Sequence, residues 1–80
     1  MKRPVSLRHM RKNQCGTISK INADGELGRR IRDMGLVPGT GLRVVGRAPL
    51  RDPVALRLGG FTLTLRNNEA DFITVETEGE

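Results

Sequence analysis

Residues 54–65 read VALRLGGFTLTL, and this stretch constrains the fold more than any other. Val54, Leu56 and Leu58 alternate with Ala55 and Arg57, two glycines intervene, and Phe61, Leu63 and Leu65 then alternate with Thr62 and Thr64. Period two on both sides of a Gly-Gly pair is the pattern of a β-hairpin with a two-residue loop. The register follows from the pattern. With Gly59 and Gly60 as the loop, Leu58 faces Phe61, Leu56 faces Leu63 and Val54 faces Leu65, which puts every apolar pair on one face.

The rest of the chain is read outward from that hairpin. Residues 1–12 hold Pro4 and the apolar trio Val5, Leu7 and Met10, enough to lay one short turn or strand on the core. Residues 14–21, with Ile18 and Ile21, predict a first strand that Asn22, Ala23, Asp24 and Gly25 break. In ELGRRIRDM, Leu27, Ile31 and Met34 recur at i, i+4 and i+7, so this segment is a helix with Asp24 as its N-cap. Gly35 ends it in the C′ position and Pro38 keeps it from resuming, while Gly28 lowers its intrinsic stability. LRVVGRA is the next strand and PLRDP a turn. Residues 67–70 form a short turn or a single helical turn before a last strand at 72–75, and the tail TEGE is expected to fray. The expected fold is mainly β: a small SH3-like barrel of about five short strands, with one short helix between the first and second. It fills one domain over residues 1–80, with its core at about 14–76 and a frayed acidic tail at 77–80.

Eighty residues bury only a small core, which disfavours an enzyme with a walled catalytic cleft. No apolar run approaches the ~20 residues of a membrane span, the basic N-terminus lacks the apolar stretch of a signal peptide, and one cysteine forms no internal disulfide. A cytoplasmic protein without membrane insertion is expected. The net charge of +5 invites a nucleic-acid reading, but Trp and Tyr are absent and Phe occurs only at Phe61 and Phe72, so stacking platforms are nearly missing. Nucleic acid is therefore disfavoured as a partner.

Chemical motifs are sparse. The glycines of GTGLRVVG follow a helix and open a strand, the reverse of a dinucleotide fingerprint, and are read as turn and cap residues. His9 and Cys15 are the two metal-ligand candidates by type, but a closed zinc site needs four ligands, so no resident metal or other cofactor is expected beyond transient Fe2+ or adventitious Zn2+. Arg29, Arg30 and Arg32 occupy the polar side of the helix, as a solvated surface or a docking face. Leu36 and Val37 follow on a tight turn, where an apolar side chain is either core or a protruding anchor.

Residues 29–40, RRIRDMGLVPGT, and residues 47–75, RAPLRDPVALRLGGFTLTLRNNEADFITV, resemble the FeoA family. The resemblance lies in a helix ending in a Met-Gly-Leu-x-Pro-Gly turn, an AP-x-x-DP turn, and an LR followed by an acidic-Ala segment before the last strand. Arg51 stands where family members often carry glycine before the Asp-Pro pair. What the resemblance implies is a cytoplasmic SH3-like accessory protein, not an enzyme, that acts on FeoB, a membrane ferrous iron transporter with a cytosolic GTP-binding domain. By the match, Met34, Leu36 and Pro38 fall on the helix-to-strand corner and Ala48, Pro49 and Asp52 on the central turn; with Arg29 and Arg30 these are the expected partner-binding residues. The chain is expected to be a monomer or a weak homo-oligomer. The alternatives are a small basic barrel that binds RNA or DNA, and a stand-alone partner of a metal-dependent transcriptional repressor.

Overall fold

The computed structural model describes residues 2–47 and 52–78. The hairpin forms in the expected register: β4 (Val54–Leu58) pairs with β5 (Phe61–Leu65), Leu58 opposite Phe61, Leu56 opposite Leu63 and Val54 opposite Leu65. Gly59 has φ +56° and Gly60 has no positive φ, the pattern a II′ turn requires of its first central residue. Upstream lie β1 (Lys2–Ser6), a 3₁₀ turn (Leu7–His9), β2 (Cys15–Ile21), α1 (Gly25–Asp33) and β3 (Gly41–Arg47). Downstream, the single helical turn α2 (Asn67–Ala70) leads into β6 (Ile73–Glu78).

The sheet has six antiparallel strands in the order β1-β6-β2-β3-β4-β5, where about five were expected. The additional strand is β1. Its Pro4 donates no ladder hydrogen bond, and an edge strand is where proline is tolerated. The last strand also runs further than expected: Thr77 is buried at 3% exposure, so the chain is packed beyond the predicted start of fraying. Leu7 and Met10, ahead of residue 14, are fully buried and belong to the core. Residues 2–10 thus supply an edge strand of the sheet and two side chains of the core.

The core gathers Leu7, Met10, Ile18, Ile31, Leu36, Val44, Leu56, Leu65, Ile73 and Val75, each at most 1% exposed. Full burial of one such side chain contributes ~1.5–3 kcal/mol. The α1 helix enters it through Ile31, with Leu27 and Met34 half-buried beside it, which is the predicted stripe. Asp24 takes the N-cap position with extended backbone, but its carboxylate makes no capping hydrogen bond. The helix is therefore held by packing, as its length and Gly28 suggest.

Two linked turns then reverse the chain. Gly35 follows the C-cap Met34 with φ +94°, and its N–H donates to Arg32 O at 2.9 Å. Residues 37–40 form a β-turn in which Thr40 N–H donates to Val37 O at 3.1 Å. Pro38 supplies the fixed φ of its second position and Gly39, at φ +96°, the positive φ of its third, the requirements of a type II turn. The turn is tied to β2 by Gly39 N–H to Ile18 O at 2.7 Å and Ile18 N–H to Thr40 O at 2.9 Å.

Candidate functional site

Those ties fix a rigid corner at the C-terminal end of α1, and the corner determines which side chains face solvent. Leu36 is fully buried, so the sequence expectation of a docking role for it is corrected: its side chain points inward to Ile31 and the sheet residues of the core. Val37, its neighbour, is 38% exposed, and Pro38 is exposed beside it. Phe61 arrives from the β4–β5 hairpin. At 52% exposure it is the most open large apolar residue among those described, and a Cβ on Gly35 would stand 3.7 Å from its Cζ. The Phe61 ring thus meets the chain at Gly35, two positions ahead of exposed Val37 and its neighbour Pro38. These residues make up one apolar corner, with Met34, packed against the core, just before it in the chain.

Arg29 and Arg30 are exposed on α1 next to this corner. Arg30 pairs with Glu69 of α2, whose carboxylate also accepts the Arg66 N–H at 3.2 Å. With 69% of the Arg30 side chain exposed, the pair holds the guanidinium in place without removing it from solvent. Asp52 has a structural partner: its Oδ1 accepts the Asn67 N–H at 2.9 Å, a donor at the start of α2 that has no partner within the helix. Ala48 and Pro49 lie outside the described residues.

The metal-ligand candidates are both exposed, His9 in the 3₁₀ turn and Cys15 on β2 opposite Arg43. Among the described residues no group of three or more His, Cys, Asp or Glu is placed to hold a metal ion.

Sequence reasoning missed two features. Phe61 carries the pattern of an inward-facing hairpin residue, and only its place at the very end of the strand, beyond the core, signals exposure. Arg47 has no local signal at all. Its guanidinium donates to Met10 O at 2.8 and 3.0 Å, to Arg8 O at 2.6 Å, to Leu7 O at 3.3 Å and to Asn67 Oδ1 at 3.2 Å, joining β3 to the 3₁₀ turn and to α2.

The twisted antiparallel sheet with its helix at one corner defines a small SH3-like β domain. The same fold is seen in the zinc complex of Stenotrophomonas maltophilia FeoA, a procaryotic SH3 domain protein, with a TM-score of 0.76 at 24% identity over 89% of this chain and 88% of that one. The chain belongs to the FeoA family, whose FeoA domain model matches residues 5–77. An FeoA-like protein from Clostridium acetobutylicum, solved by NMR, is 38% identical and superimposes with a TM-score of 0.89 over all of this chain and 93% of that one. A Porphyromonas gingivalis Fe(2+) transport protein A/Fe(2+) transporter FeoB fusion protein is 41% identical over 59 residues, 74% of this chain. The chain spans only 7% of that fusion protein's length. Through these relatives the family is linked to ferrous iron transport.

Proposed function

We propose that this protein is a regulatory subunit of ferrous iron uptake that docks, through the corner at the end of α1, on the cytosolic region of an FeoB-like transporter. The observation that carries the reading is the corner itself: two of the three exposed large apolar residues among those described, Val37 and Phe61, flank Gly35 on a backbone fixed by turns and hydrogen bonds. An apolar anchor on a rigid frame with arginines at its rim is the usual composition of an interface hot spot. The P. gingivalis relative supports the choice of partner, since there the two components share one polypeptide. Val37 and Phe61 fill an apolar recess on the partner, and Arg29 and Arg30 steer the approach.

The test is an NMR titration of the labelled protein with the GTP-binding domain of its own transporter. Shifts confined to residues 34–40 and 61 are expected. Phe61→Ala should weaken binding by ~10-fold or more while leaving the thermal midpoint nearly unchanged, because the ring is half exposed. Shifts elsewhere with this corner silent, or wild-type affinity in Phe61→Ala, would remove the corner from the model.

A further inference from the structure

Strands β2 to β5 carry Lys20, Arg43, Arg47 and Arg57 and no carboxylate. Arg47 is turned against the 3₁₀ turn, but Arg43 and Arg57 are not. They are directly opposite partners on β3 and β4, both exposed, on the side of the sheet away from the core, since Leu42, Val44, Leu56 and Leu58 beside them are buried. Like charges at directly opposite positions stand with Cβ atoms only ~4.5–5.5 Å apart and repel. Neither side chain has an ion pair or hydrogen bond among the described residues. Cys15 opposite Arg43 on β2 and Thr62 opposite Arg57 on β5 extend the pair into an exposed row across the sheet.

The turn leading into β2 brings more positive charge to the same end of β3. Asn13 N–H donates to Val44 O at 2.6 Å and Val44 N–H to Gln14 O at 3.0 Å, so the turn that carries exposed Arg11 and Lys12 lies beside β3 at Val44, the residue after Arg43. Most of the acidic residues among those described lie elsewhere, at Asp24, Glu26 and Asp33 around α1, at Asp52 ahead of β4, and at Glu69 and Asp71 around α2. By register the acidic positions of this face are Glu76, opposite Thr17 on β2, and Glu78, two positions further along β6 and level with Cys15, and the whole of β2 separates both positions from Arg43.

What the face lacks defines its partner. The row has no aromatic ring to stack on a base, no helix to enter a groove, and no large apolar side chain to anchor a folded protein. What remains is a pleated basic surface, complementary to a planar array of negative charge. We propose that the β2–β5 face seats on the phosphate headgroups of an anionic lipid bilayer, with Arg43 and Arg57 at the centre of contact and Arg11 and Lys12 at its margin. This goes beyond transporter docking and does not depend on it. The α1 helix packs Ile31 into the core on the other side of the β3–β4 ladder, which leaves the corner open while the basic face is occupied.

The experiment is flotation of the whole chain with vesicles of phosphatidylcholine alone and of phosphatidylcholine mixed with phosphatidylglycerol, at ~0.1 M salt. Binding to the mixed vesicles only is expected. Each basic residue at an anionic surface contributes ~5-fold in partitioning, so Arg43→Gln with Arg57→Gln should lower the partition coefficient by about 25-fold. Arg29→Gln with Arg32→Gln, on α1, should change it by less than ~2-fold, and Glu76→Gln should raise it. Equal loss in the two arginine pairs would reduce the effect to net charge and overturn the proposal, as would indifference to phosphatidylglycerol. Full displacement by millimolar inorganic phosphate would mean a discrete anion site instead, and tighter binding to a DNA duplex, abolished by the Arg43/Arg57 pair, would give the face to nucleic acid. Because no transporter is present, failure here leaves the docking reading standing.

Discussion

Arg47→Met is the most informative substitution for the architecture, because methionine keeps most of the apolar stem and removes only the guanidinium. Three of its hydrogen bonds, to Met10 O at 2.8 and 3.0 Å and to Arg8 O at 2.6 Å, have good geometry, and those to Leu7 O and Asn67 Oδ1 are longer. A charged donor contributes ~1.5–3 kcal/mol per hydrogen bond, and the half-buried setting and shared acceptor bring this down toward the value of an ordinary hydrogen bond, about 1 kcal/mol each. The expected loss is therefore ~3 kcal/mol, a large share of the ~4–12 kcal/mol of a domain this size. At ~4–8 °C per kcal/mol the thermal midpoint should fall by roughly 12–24 °C. Far-UV circular dichroism is the suitable probe, since the chain has no Trp or Tyr. Arg47→Lys should fall between the two, because an ammonium cannot span the Met10 and Asn67 oxygens as the planar fork does. A midpoint within ~4 °C of wild type for Arg47→Met, with unshifted amides in residues 7–10 and 67, would refute the view that this side chain joins three elements.

Three further outcomes are expected. Leu36→Ala removes a fully buried side chain and should destabilise by ~2–5 kcal/mol in chemical denaturation, the signature of core rather than of an anchor. Gly28→Ala should lower stability by ~1–2 kcal/mol despite the better helix propensity of alanine, because its Cβ would collide with the Ala23 carbonyl oxygen; a rise in the melting temperature would contradict this. Arg30→Ala should change stability by less than ~1 kcal/mol, since its pair with Glu69 is mostly solvated, while slowing association with the transporter domain in stopped-flow mixing.

The parts of the fold legible in the sequence are those whose signal is local. The hairpin register, the α1 stripe and the end of α1 at Gly35 each depend on residues within a few positions of one another, where alternation, helical period and glycine act directly. The β1 strand was less legible because Pro4 interrupts its pattern and its partner lies at the other end of the chain. The corner was legible as a place but not in its detail: nothing local decides whether Leu36 or Val37 turns inward, and the tie between Gly39 and Ile18 settles it. Arg47 was illegible for the same reason, its carbonyl partners lying 37 to 40 positions away. The Arg43 and Arg57 pair emerges only once β3 and β4 are aligned, since 14 positions separate the two in sequence (57 − 43).

The position of β6 has a consequence for how the molecule is made. It lies between β1 and β2, and its Thr77 hydroxyl donates to the Arg3 carbonyl 74 positions earlier at 3.5 Å. On the ribosome, the first two strands therefore emerge long before the strand that joins them, and they wait unpaired with each other while it is still inside the exit tunnel. The sheet can close only after translation of this segment has finished, and a premature stop just ahead of Ile73 would leave both earlier strands without their shared neighbour.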